Sequence, residues 1–198
     1  MPSACKRAKL ERMTYYGSKE LAASFRTVRN NTITIAEEIS EDKYGFRASP
    51  ESRSVAQTLV HMAVVTRLPQ QIHFVEARTD LNGFDFFGFF GGVIVPEEQK
   101  SRTKAEIIAI LKSEGDKIEA QLAGCSEDFL AQTIRFPEGM TPATKTRFEM
   151  LLGVKEHEMH HRGQLMVIER MLGITPHLTR QMMERMQSMQ AASAAQKG

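Results

Sequence analysis

Four stretches of this chain space their apolar residues at alternating steps of three and four. That spacing keeps side chains on one face of an α-helix. In the first stretch, Leu21, Phe25, Val28, Thr32, Ile35 and Ile39 fall in line. The second carries Thr58, His61, Val65, Leu68 and Ile72, with Ser52 or Ser54 as a capping residue just after Pro50. Pro69 lies inside this second pattern and removes one backbone donor, so a kink or a new turn is expected there. The third runs from about Thr103 to Leu122 through Ile108, Leu111, Gly115 and Ile118, with Gly124 as its stop. The fourth runs from about Thr144 to Leu172 and aligns Met150, Val154, His157, His161, Leu165 and Ile168, closing at Gly173 with Pro176 beyond. Four amphipathic helices can bury their stripes only against one another, which predicts an all-α four-helix bundle.

The connections are unequal. Residues 81–100, rich in glycine and phenylalanine, form a long link between helices two and three, and long links are often functional. Between helices three and four, residues 132–136 read as a short strand. After Pro176, the segment with Met182, Met183, Met186 and Met189 reads as an extra short C-terminal helix, serving as core or subunit contact. We find no repeat and no low-complexity linker. The expectation is one domain over residues 1–198, with a core at about 18–173 and a Met-rich extension at 174–198.

A chain of 198 residues buries roughly 70% of its unfolded surface, so it needs no metal merely to fold. Any metal site would therefore serve function. With 26 basic and 24 acidic side chains the net charge is +2, which gives no electrostatic case for nucleic acid. No window approaches the ~18 apolar residues of a membrane span, and residues 1–13 lack a signal-peptide core. Cys5 and Cys125 form no CxxC pair and no disulfide framework. A cytoplasmic protein is expected.

The chemistry-bearing residues are histidines. His157 and His161 stand four apart on one helical stripe, about one turn from each other, and His61 lies in the stripe of helix two. Three neutral imidazoles can hold one divalent ion and leave a position open for water or substrate. Spacing alone leaves alternatives open. Taken alone, His61 reads more readily as a hydrogen-bonded core residue than as a ligand, and His160 competes for the same face.

Residues 157–165 read His-Glu-Met-His-His-Arg-Gly-Gln-Leu, and upstream Phe46-Arg47-Ala48-Ser49-Pro50 precedes Ser54 and His61. The HxxxHRGQ pattern closely resembles the DinB/YfiT-like family of metal-dependent proteins, and the resemblance spans roughly residues 18–173. It implies a four-helix bundle that binds one divalent metal, Zn or Ni foremost, through His61, His157 and His161, with His160 as the outward neighbour. It also implies a metal-dependent enzyme acting on a small-molecule substrate, either a hydrolase or a transferase using a low-molecular-weight thiol. A homodimer is expected from the same family habit. The alternative is a non-catalytic metal- or ligand-binding stress-response module. Pro69, the long 81–100 link and the tail beyond Pro176 depart from the family pattern.

Other residues take supporting parts. Gln164, one turn from His161, is placed to orient a ligand or water. Arg162 is expected against a neighbouring helix or carboxylate. Glu158 points about 100° away from His157 and is disfavoured as a general base. Cys125 reads as inert. The cluster of Phe84, Phe86, Phe87, Phe89 and Phe90 reads as a packed loop or dimer contact in preference to an aromatic lid.

Overall fold

The computed structural model describes residues 16–196, so Cys5 and the stretch 1–13 lie outside the described residues. Five long helices dominate: α1 (Ser18–Glu38), α2 (Val55–Val64), α3 (Lys104–Ala123), α4 (Arg147–Met171) and α5 (His177–Ala195). Three of them begin in the same way. Ser54 with Gln57, Thr103 with Glu106 and Thr146 with Glu149 form capping boxes, each satisfying two backbone donors that the first turn leaves free. α4 ends at Gly173, whose φ of 78° takes the left-handed turn expected after a helix.

α1 packs on α3 and α4, and α2 packs on the same two, so the cyclic order of the bundle is α1, α3, α2, α4. The predicted α1 stripe is wholly buried, from Leu21 and Phe25 to Ile35 and Ile39. The core divides along the bundle axis. One cluster gathers Leu21, Phe25, Ile118, Leu122 and Leu151, and the other gathers Ile35, Leu59, Met62, Leu111, Leu165 and Ile168. A smaller third cluster, with Ile72, Leu81 and Ile134, lies under the connections.

Four expectations need correction. The link over residues 81–100 is not a loop. It winds into helical turns at Phe86–Phe89, Phe90–Ile94 and Val95–Gln99, and the last of these packs on α2. Thr144–Thr146 is not the first turn of α4 but strand β2, which pairs antiparallel with β1 (Thr133–Arg135), the strand expected from the sequence. The β-branched threonines suit that extended ladder. The C-terminal helix is 19 residues long, not short, and Met182, Met183, Met186 and Met189 are exposed, not part of the core. On α3 the buried position is Ile107, with Ile108 only half-buried.

Pro69 acts as expected. α2 gives way to a short turn at Arg67–Pro69 and then to a widened turn over Gln70–Val75, where Glu76 N–H bonds back to the Gln71 carbonyl. No helix among the described residues is long and apolar enough to cross a membrane.

Candidate metal centre

α2 and α4 are neighbours in the ring, so stripe residues on both face the same interior. His61 reaches across from α2, and His157 and His161 project from successive turns of α4. The His61 and His157 Nε2 atoms are 3.1 Å apart, and the His157 and His161 Nε2 atoms 3.2 Å. One donor atom from each of the three rings lies within 4.8 Å of the others. Three nitrogens bound at roughly 2.0–2.1 Å to a tetrahedral ion would stand about 3.3 Å apart. The spacing fits such an ion.

The far sides of the rings fix which nitrogen is free. His61 Nδ1 lies 2.8 Å from Glu98 Oε1, and a carboxylate can only accept, so His61 carries its proton on Nδ1. His161 Nδ1 donates to Gln164 Oε1 at 2.7 Å, while the Gln164 amide nitrogen donates to His160 Nε2 at 3.1 Å. Both His61 and His161 therefore aim bare Nε2 lone pairs inward. His157 Nε2 sits between them and, carrying a proton, could satisfy only one. A cation would satisfy all three.

Burial keeps the rings neutral. It is the largest influence lowering the pKa of each, and it brings His157 down to about 3, helped by His161 and His61 beside it. Neutral imidazole is the ligating form. His160 is exposed, the outward neighbour that the motif implied.

Two spaces flank the triad. On one side an apolar cavity of about 290 Å³ is walled by Ile72, Phe86, Phe90, Phe136 and Met150 and reaches His61 and His157. On the other a groove of about 710 Å³, more polar than the cavity, is bordered by Glu51, Ser52, Arg53, Gln164 and His161 with Val167 and Ile168. Phe86 and Phe90 are thus part of a helical wall, whereas Phe87 is 92% exposed.

Beside this centre lies a second polar cluster. Glu158, 1% exposed, receives Arg29 through Nε at 2.7 and 3.0 Å and through Nη2 at 2.7 Å. Arg29 also donates to the carbonyls of Leu111 and Met62, so it touches all four helices of the ring. The carboxylate is fully engaged, in keeping with its exclusion as a base.

Sequence reasoning missed Arg29 and Glu98. Arg29 left a trace, a charged residue four after Phe25 and three before Thr32 on an apolar stripe. Glu98 left none, because 37 residues separate it from His61. It is held in turn by Arg53 at 2.7 Å. Of the two partners expected for Arg162, a neighbouring helix or a carboxylate, no carboxylate pairs with it among the described residues, and its buried Nε has no hydrogen-bond partner. Cys125 is half-buried with its thiol pushed up by burial, the opposite of an activated nucleophile.

The bundle has counterparts among solved structures. YfiT from Bacillus subtilis, described as a probable metal-dependent hydrolase with an unusual four-helix bundle topology, aligns with a TM-score of 0.61 at 13% identity, covering 83% of this chain and 93% of that one. A Streptococcus pneumoniae protein aligns with a TM-score of 0.61 at 18% identity, covering 80% and 93%. The DinB-like protein YjoA of Bacillus subtilis aligns with a TM-score of 0.57 at 24% identity, covering 79% and 94%. In sequence, YjoA, an uncharacterized protein, is 25% identical over 158 residues, 80% of this chain and 92% of its own. The sequence model of the DinB superfamily matches residues 24–165, from within α1 through His61 to the end of the HxxxHRGQ motif. With that span carrying both the bundle and its three converging histidines, the chain belongs to the DinB superfamily.

Proposed function

We propose that this protein is a divalent-metal-dependent enzyme acting on a small molecule, with His61, His157 and His161 as the ligands of one zinc or nickel ion. One observation carries the reading: two imidazoles are locked with their protons outward, on Glu98 and Gln164, around a third ring at ligand spacing. When bound, such an ion supplies Lewis acidity, which brings ionisation of a water or a thiol into the neutral range.

The chain's own residues do the rest. Glu98 and Gln164 hold the rings at a fixed angle, and Arg53 keeps Glu98 in place. The apolar wall of Phe86, Phe90 and Phe136 excludes water from one flank, while Arg53, Ser52 and Gln164 offer polar contacts on the other. Two unlike compartments meeting at one centre suit a reaction of two unlike partners, an apolar electrophile and a polar nucleophile. That favours hydrolysis or transfer to a low-molecular-weight thiol. The Ser52 hydroxyl in the groove is spent on the Ser49 carbonyl, with no base beside it to activate it, so the attacking group comes from solution. A cytoplasmic homodimer remains part of this reading.

The test is elemental analysis of purified protein beside a His61→Ala, His157→Ala double variant, followed by an electrophile screen with glutathione, mycothiol or bacillithiol. The expected result is one ion per chain in the native protein and loss of at least a hundredfold in affinity in the variant, with turnover only in the loaded protein. Unchanged metal content in the variant refutes the ligand assignment. Metal binding without turnover leaves a binding module.

A further inference from the structure

The apolar cavity beside the triad has a second polar end. His73 lines it and is 1% exposed. Arg147, wholly buried at the start of α4, donates from Nη1 to His73 Nδ1 at 2.8 Å. A guanidinium has no acceptor, so His73 Nδ1 must accept and the ring proton must sit on Nε2. Arg147 is itself fixed by Gln132 Oε1 at 2.7 Å and the Arg78 carbonyl at 3.0 Å, and it stacks 4.2 Å over the Phe129 ring. The tautomer is thus set by a rigid support. Burial and the adjoining cation push the His73 pKa down to about 4, so the ring stays neutral with a single N–H.

That N–H makes no hydrogen bond among the described residues. Every other polar side chain lining the cavity is committed. Thr66 donates to the Ala63 carbonyl, Glu158 is closed by Arg29, and His61 and His157 belong to the triad. Among the described residues, His73 Nε2–H is therefore the one side-chain donor lining this apolar chamber without a partner. Arg147, which holds His73, and His157 are ten residues apart on α4, a rise of about 15 Å between their backbones, so His73 marks the end of the cavity away from the triad.

We infer that the cavity takes an elongated, mostly apolar molecule bearing a hydrogen-bond acceptor at the end remote from the triad, and that His73 is the specificity-determining residue that receives this acceptor. Which end reacts rests on the metal-dependent reading above, but the recognition of the acceptor does not. A buried neutral donor left unpaired by an all-carbon ligand disfavours that ligand, whereas a carbonyl or ether oxygen satisfies it.

The experiment compares two probes matched in length, 6-phenyl-2-hexanone and hexylbenzene, by ligand-observed NMR titration of metal-stripped and zinc-loaded protein. The ketone is expected to bind several-fold to tenfold tighter, the worth of one buried hydrogen bond. In protein labelled with 15N-histidine, the ketone should move the His73 Nε2 resonance and the hydrocarbon should not. His73→Leu should erase the preference. His73→Gln, whose oxygen can still accept from Arg147 while its NH2 donates, should restore part of it. Because His73→Leu leaves an Arg147 N–H unpaired, its fold is checked by melting, and the native-protein titration stands without it. Equal affinity for the two probes, or a bound ketone that leaves His73 Nε2 unmoved, overturns the inference. Zinc binding without ketone preference would leave the metal reading standing alone. Ketone preference without zinc binding would do the reverse.

Discussion

His157 and Glu158 are neighbours on α4 and both face buried surroundings, yet they sit in opposite kinds of polar cluster. Glu158 is paired with Arg29 through three hydrogen bonds, and Arg29 spends its remaining donors on two carbonyls. Donors and acceptors there match, and the cluster ties four helices at the boundary between the two main parts of the core. His157 has two acceptor nitrogens for neighbours and at most one proton to offer them. A buried cluster closed on itself secures the fold, whereas a buried cluster with more acceptors than protons is one that a bound cation could complete. Adjacent side chains diverge by about 100° around a helix, which is enough to place them in different compartments.

The contrast is broken most severely from the closed side. Arg29→Ala leaves Glu158 as an uncompensated buried charge, and such losses run to about 3–5 kcal/mol. Urea unfolding should show that loss, and the double variant with Glu158→Gln should recover much of it. A single variant as stable as the native protein would mean that water already reaches Glu158. The bundle would then be held by its apolar clusters alone.

The sequence made the bundle legible because stripes at 3.6-residue periodicity and helix stops are local signals. The α1 stripe is legible to the residue, and Ser54 is one of the two caps that the sequence offers α2. What escaped was decided by distant partners. Glu98 becomes part of the site only because the residue 81–100 link coils back onto α2, and glycines among phenylalanines read as a loop until packing supplies what propensity withholds. Thr144–Thr146 continued the helical pattern of α4, but pairing with Thr133–Arg135 took them into a ladder. The histidines were legible only in part. Spacing offered His157, His160 and His161 as rivals, and the motif resemblance, not periodicity, set His160 aside.

The open side is sharpened through its supports. Glu98→Ala removes the acceptor that keeps the His61 proton outward, and loss of such a support costs 10–100-fold in metal affinity. Glu98→Gln keeps an acceptor oxygen without the charge and should fall between. Competition with a chromogenic chelator measures both. Helix content and urea midpoint should hardly change, unlike those of Arg29→Ala. A Glu98→Ala protein with native affinity would show that the rings are aimed by packing and not by their outer partners.

The smallest effect tests what a buried carboxylate on α4 does when no arginine closes it. Glu169 is fully buried, and both of its oxygens lack partners. Burial first, then the charge of Glu38, pushes its pKa up to about 7, against the pull of Arg180 and Arg170. Its folded value therefore lies above its unfolded one. The stability it contributes is present below the ordinary glutamate range and is lost as pH rises through about 7. His177, whose pKa burial lowers, works in the opposite sense, because charging it in acid costs stability. The comparison must therefore be between native protein and Glu169→Gln at each pH, not across pH in one protein. From pH 5 to pH 8 the native protein should lose about 1–2 kcal/mol relative to Glu169→Gln, allowing for water reaching the pair once it ionises. A pH-independent difference would mean that Glu169 finds a cation when ionised. Arg180, which pairs with Glu38, and Arg170 are the cations whose charge already acts on Glu169.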